Sequence, residues 1–205
     1  MKLILLTRPD FFSGEADTIN ALFAAGLPIL HLRKPQATQE QKEALVAQIA
    51  PAYRDRIVMH NHDLHSCHTL DEVRTKKEHI PMLNSQWSTP QGSRKIAVQV
   101  APKVRGTNSD FESEAAMFNG QCSYLFLSPI FDSISKRGYR AAFTDDELLQ
   151  AHRDGIIDDR VIALGGITPS NASKALDLGF GGVAVLGDIW MSDSPLLRLQ
   201  EYMCI

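Results

Sequence analysis

The chain has 205 residues, with 21 basic and 24 acidic side chains and a formal net charge of −3, so a nucleic-acid surface would need a local basic patch, and none stands out. A composition of 44% hydrophobic and 22% charged residues is that of a soluble globular chain with one sizeable core, which predicts a single domain over residues 1–205. The first apolar run, Leu3-Ile4-Leu5-Leu6, stops at Thr7-Arg8-Pro9-Asp10, too short for a signal peptide or a membrane span, which points to the cytoplasm. Cys67, Cys122 and Cys204 are odd in number, widely spaced and without a Cys-x-x-Cys pair, so neither a disulfide framework nor a zinc-finger pattern is indicated.

In chain order, short β-rich apolar runs predict strands at Leu3–Leu6, Ile29–Arg33, Arg56–His60, Ile80–Leu83, Lys95–Val100, Tyr124–Leu127, Val161–Leu164 and Gly182–Leu186. Helical periodicity fits Ala16–Ala25, Thr38–Ile49, Asp71–Glu78, Ser109–Phe118, Asp145–Asp154, Pro169–Leu178 and Pro195–Tyr202. Thr38, Ser109 and Thr144 are suited to N-caps, and Gly26 and Gly179 to C-terminal stops. Runs such as Tyr124-Leu125-Phe126-Leu127 and Val183-Ala184-Val185-Leu186 are apolar on both faces, as parallel strands beneath a helical layer are. The alternation predicts a closed (β/α)8 TIM barrel; a doubly wound sheet is disfavoured because no Gly-x-Gly-x-x-Gly follows Leu6. Polar and Pro/Gly-containing segments interrupt the pattern between His60 and Asn108.

In such a fold the chemistry lies just beyond the strand C-termini. Gly165-Gly166-Ile167-Thr168-Pro169 and Gly187-Asp188-Ile189 follow the last two strands, and glycines opening onto helices there match a recurrent phosphate site. Ser128–Tyr139 supplies hydroxyls with Lys136 and Arg137, suited to a polyanion such as diphosphate. At the second strand end, period two puts His31 and Arg33 on one face, where Arg33 would meet an anionic ligand or a neighbouring carboxylate.

Tyr124–Lys136, Ala163–Ile167 and Gly182–Leu186 together resemble the thiamine phosphate synthase and thiazole tautomerase family of (β/α)8 proteins. The resemblance implies joining of hydroxymethylpyrimidine diphosphate to thiazole phosphate, with diphosphate released and magnesium assisting. It implies catalytic contacts to diphosphate by Arg33, Ser133, Ser135 and Lys136. Substrate binding would fall to His31, His60, Asn61, Gly165, Gly166 and Gly187, the last in place of the family's serine. The family's Gln-x-Arg-x-Lys becomes His31-Leu32-Arg33-Lys34-Pro35, with Lys34 one place early. Its magnesium carboxylates are missing: His60-Asn61 and Asn84-Ser85-Gln86-Trp87 stand at those places, so magnesium would arrive with the substrate diphosphate. The family's Ser-x-His-Ser/Thr on strand five is also absent, although a similar string occurs early, at Ser66-Cys67-His68-Thr69.

Two other classes fit parts of the pattern. His60, His62, His65 and His68 suit a transition metal, as in a metal-dependent barrel hydrolase. Retained phosphate loops with lost carboxylates suit a non-catalytic binding or regulatory protein for thiamine precursors. In each case the partners are small molecules, with no nucleic acid or membrane, and homo-oligomerisation stays open.

Overall fold

The computed structural model describes residues 1–60, 66–67, 69–71, 73–74, 96–97, 122–133 and 140–205. Within them the elements run β1 (Lys2–Leu6), α1 (Glu15–Ala24), β2 (Ile29–Leu32), α2 (Gln39–Gln48), a 3-10 turn at Pro51–Arg56, β3 (Ile57–Met59), β4 (Ser66–Cys67) and β5 (Ile96–Ala97). Then come β6 (Cys122–Leu127), α3 (Asp145–Arg153), β7 (Val161–Leu164), α4 (Pro169–Asp177), β8 (Gly182–Val185), a one-turn α5 (Gly187–Trp190) and α6 (Pro195–Met203). α2 and α3 open with the predicted threonine caps, Thr38 Oγ1 accepting from Gln41 N and Thr144 Oγ1 from Glu147 N.

All described pairings are parallel, in the order β3-β2-β1-β8-β7-β6-β4, with β5 also on β6. Alternate strand residues sort to two sides, as period two requires. Leu3, Leu5, Leu30, Leu32, Val161 and Val183 pack with helix residues such as Ile19, Leu22, Leu148 and Leu199. Ile4, Leu6, Tyr124, Phe126, Ile162 and Ala184 form a second cluster on the other face, without any helix residue. Among the described residues the helices pack on one face only, whereas a doubly wound sheet carries them on both.

The expected closed eight-stranded barrel is corrected: the sheet is a partial (β/α) barrel. Six strands of three or more residues, β3 to β6 in spatial order, make its body, and among the described residues no pairing joins β3 to β4. β4 and β5 are two residues each, so both together add little ladder on the β6 side. β4 was not expected, and it places Ser66 opposite Phe126 and Cys67 opposite Leu127. The predicted strand Ile80–Leu83 and helix Ser109–Phe118 with its Ser109 cap lie outside the described residues. No described helix is long and apolar enough to cross a membrane.

Candidate active site

The predicted glycines converge on one rim. β7 and β8 are neighbours in register, Leu164 opposite Ala184, so Gly165-Gly166 and Gly187 leave adjacent strands. Two backbone hydrogen bonds, Ile130 N to Leu164 O and Phe131 N to Gly165 O, each 3.0 Å, carry the segment after β6 alongside the β7 loop. This brings half-buried Ser133 to the same rim. Gly165 and Gly166 have φ of 96° and 66°, a region that costs other residues strain, and a Cβ on Gly166 would collide with the backbone of Phe131 and Asp132. Close backbone approach therefore fixes the loop. Asn171 holds its far end, accepting from Thr168 N at 2.8 Å and donating to Gly166 O at 2.9 Å.

Sequence reasoning missed the brace behind this rim. Tyr202, from α6, is almost wholly buried; its hydroxyl donates to Asp188 Oδ2 at 2.8 Å and lies 3.1 Å from Ile167 O. One side chain thus touches both glycine loops. Burial and then the Asp188 carboxylate push the Tyr202 phenol far above its usual range, so it stays a donor. Arg198 Nε, 3.5 Å from Asp188 Oδ2, offsets a carboxylate that would otherwise face an incoming anion. No local signal marks Tyr202 beyond its place in an amphipathic helix.

The β2 end forms the other side. Arg33 N donates to Thr7 Oγ1 at 2.9 Å and the same hydroxyl donates to Arg33 O at 3.1 Å, so buried Thr7 clamps the Arg33 peptide from β1. Among the described residues no carboxylate pairs with the Arg33 guanidinium. Lys34 points elsewhere, as its one-place shift predicts. It is buried on Glu15, Nζ to Oε1 2.6 Å, donates to Asp10 O at 2.8 Å and lies 4.6 Å from the Phe11 ring centroid. Desolvation pulls both partners toward their neutral forms, raising Glu15 and lowering Lys34 against their mutual attraction.

His31 and His60 are both buried and stand in one hydrogen-bonded row. His31 Nε2 lies 2.7 Å from Tyr124 Oη and His31 Nδ1 lies 2.9 Å from His60 Nε2. Desolvation lowers both imidazoles, His60 to about 4, with the charges of Arg33 and Lys42 adding to the effect there and His60 itself adding to it at His31. Both are neutral at pH 7. Lys42 Nζ donates to His60 O at 2.8 Å. His60 Nδ1 is buried without a hydrogen-bond partner, a vacancy that costs about 1–3 kcal/mol. The sequence put His31 and His60 near one ligand; it gave no sign that they bond to each other.

Ser135, Lys136 and Asn61 lie outside the described residues, as do His62, His65 and His68. Among the described residues no group of three or more His, Cys, Asp or Glu is placed to hold a metal ion.

The chain is similar to known proteins along its sequence and in its fold. A family model of thiamine monophosphate synthase matches residues 103–189. The thiamine-phosphate synthase of Haloquadratum walsbyi is 25% identical over 98% of this chain and 89% of that protein. That of Geobacillus kaustophilus is 29% identical over 51% of this chain, and the match spans about half, 48%, of that relative's length. The crystal structure of thiamine phosphate pyrophosphorylase from Bacteroides thetaiotaomicron superposes with a TM-score of 0.67 at 29% identity, covering 99% of this chain and 96% of that one. A Pyrococcus furiosus thiamine phosphate pyrophosphorylase, 13% identical with a TM-score of 0.60, shares the fold. The chain is thus similar to thiamine monophosphate synthases, in a family model over residues 103–189, in relatives aligned over nearly the whole chain and in a solved neighbour of the same kind.

Proposed function

We propose that the chain is a thiamine-phosphate synthase, a transferase that joins hydroxymethylpyrimidine diphosphate to thiazole phosphate and releases diphosphate. The observation that carries this is the convergence on one rim of the two glycine loops and the segment ending at Ser133, in a chain that aligns along nearly its whole length with enzymes of that name. The carbon–oxygen bond to diphosphate breaks with its electron pair leaving on the diphosphate oxygen; the thiazole nitrogen supplies the pair for the new carbon–nitrogen bond. Arg33, with Ser133, Ser135 and Lys136, stabilises the negative charge that grows on the leaving group. Backbone N–H groups of Gly165, Gly166 and Gly187 hold the thiazole phosphate and fix the nucleophile's approach. No side chain needs to act as a covalent nucleophile.

Magnesium, implied for this family, does not fit the described residues as a protein-held ion. At the β3 end, where a carboxylate and an amide would serve, His60 turns Nε2 onto His31 and offers a neutral nitrogen to a hard cation that prefers oxygen. Of the nearby acids, Asp132 Oδ1 accepts from Ala141 N and Asp188 Oδ2 from Tyr202, so each has an oxygen already engaged. No step here is routed through a metal.

The test is incubation of the purified chain with both substrates, with and without magnesium, following thiamine phosphate and diphosphate in equal amounts. Equal release supports transfer. Calorimetric binding of thiazole phosphate without product would instead favour a precursor-binding protein, and no binding at millimolar concentration would refute the phosphate rim. Gly166→Val should weaken thiazole phosphate at least tenfold, since its Cβ would push the Phe131–Asp132 backbone off the loop.

A further inference from the structure

The residue after Arg33 directs a buried charge onto a loop rather than toward the site mouth. Lys34 is 1% exposed, and its ammonium meets Glu15 Oε1 at 2.6 Å, Asp10 O at 2.8 Å and the face of the Phe11 ring at 4.6 Å. An ammonium has three donors, and all three of these partners belong to one segment, the connection from β1 to α1. A buried ion pair is weak support for stability, because apolar residues of similar volume often serve as well; its better-attested use is to specify one register. The hold extends along the segment, since Glu15 N donates to Phe12 O at 3.2 Å. On its far side the Phe12 ring meets the Trp190 indole edge-on, with centroids 5.7 Å apart. Trp190 closes the one-turn α5 that begins at Gly187, and its indole donates to Leu6 O at 2.7 Å. A continuous run of contacts thus leads from the peptide beside Arg33 to the turn that carries Gly187.

We infer that the β1–α1 connection is the spacer of the site, with Lys34, Glu15 and Phe12 as positioning residues that set the separation between Arg33 and Gly187. The ladder alone does not reach that far. The last residues paired to β1 are His31 on one side and Val185 on the other, so Arg33 and Gly187 each stand two positions beyond the register. Past that point the connection ties the two ends across the top of β1, by the Lys34 contacts on one side and by the Phe12–Trp190 contact on the other. None of the three positioning side chains needs to touch a substrate. What they govern is the distance between the departing diphosphate and the attacking thiazole nitrogen, and a displacement of about 1 Å there can cost about a hundredfold in rate. Each substrate keeps its own binding contacts when that distance changes, so the effect falls on turnover and not on affinity. The inference rests on the proposed function, which assigns the two ends to two different substrates.

The experiment compares the full chain with three variants: Lys34→Met with Glu15→Leu, Phe12→Leu, and all three substitutions together. The paired substitution keeps the buried volume and most of the stability while removing the hold on the loop. Steady-state kinetics give kcat, and calorimetry gives the affinities for thiazole phosphate and for inorganic diphosphate. The paired variant should bind each ligand within about threefold of the wild-type chain while its kcat falls at least about tenfold. Phe12→Leu should lower kcat by about fivefold, and adding it to the paired variant should lower kcat little further, because both act through one connection. A folded paired variant with kcat within about twofold of wild type overturns the inference, as do losses confined to affinity or effects on kcat that simply multiply. If the paired variant does not fold, Phe12→Leu decides alone: reduced kcat with both affinities kept supports the spacer, and unchanged kcat overturns it. Wild-type turnover with unaffected variants overturns the inference and leaves the proposed function standing. No thiamine phosphate from the wild-type chain overturns the two together.

Discussion

The two sides of the candidate site bind by different means. On the β7–β8 side the donors are backbone N–H groups, placed by glycine conformation and by loops zipped to one another, with Tyr202 as the brace. On the β2–β3 side the working groups are side chains, Arg33 and the histidine row, placed by buried polar contacts from Thr7, Lys42 and Tyr124. Backbone donors do not titrate, so the first side should hold its ligand across a wide pH range. The second depends on two neutral imidazoles and a buried ion pair, so it should be the first to fail in acid and the more sensitive to single substitutions.

The largest expected effect is on the side-chain half. Lys34→Met strands a buried Glu15 carboxylate and should cost about 3–5 kcal/mol by denaturant unfolding, whereas Lys34→Met with Glu15→Leu should recover most of it. If the single substitution costs under about 1 kcal/mol, the pair is not what holds the β1 and β2 loops together. Next comes acid. In the unfolded chain His60 protonates near 6.5, but in the folded chain only near 4, so the unfolded state binds the extra proton as pH falls. Stability should therefore drop between about pH 6.5 and 4, by up to about 3 kcal/mol from this ring. His60→Gln should flatten that slope, and an unchanged slope would mean the ring is already charged when folded. The smallest effect belongs to the backbone half: Tyr202→Phe should cost about 1 kcal/mol and weaken thiazole phosphate only a few-fold, with no new pH dependence. A larger loss there than at Lys34 would invert the comparison.

Much of the backbone half was legible from the chain alone. Runs such as Val161–Leu164 and Gly182–Val185 announce buried parallel strands, and Gly165-Gly166 after one of them announces a turn that only glycine makes easily. Period two also placed Arg33 on the His31 face and Lys34 off it. The side-chain half was legible only as a list of residues. Nothing local ties His31 to Tyr124, 93 positions away, because a hydrogen bond across the interior leaves no periodic trace. β4 escaped for a related reason: two residues carry no period, and only tertiary pairing puts Ser66–Cys67 against Phe126 and Leu127. That edge adjoins β6, on which the two residues of β5 also pair.

β1 is paired with β2 on one side and with β8 on the other, and the Trp190 indole donates to Leu6 O at 2.7 Å across 184 positions of chain. On a ribosome adding about 5–20 residues per second, β1 would emerge some 10–40 s before β8 exists to join it. Through that interval the nascent chain can form the β1–β2–β3 edge but has no centre to its sheet. The strand that finally completes it also carries Gly187, so the phosphate rim is assembled in the same late step, and a chain released early would lack the sheet's middle and its binding loop together.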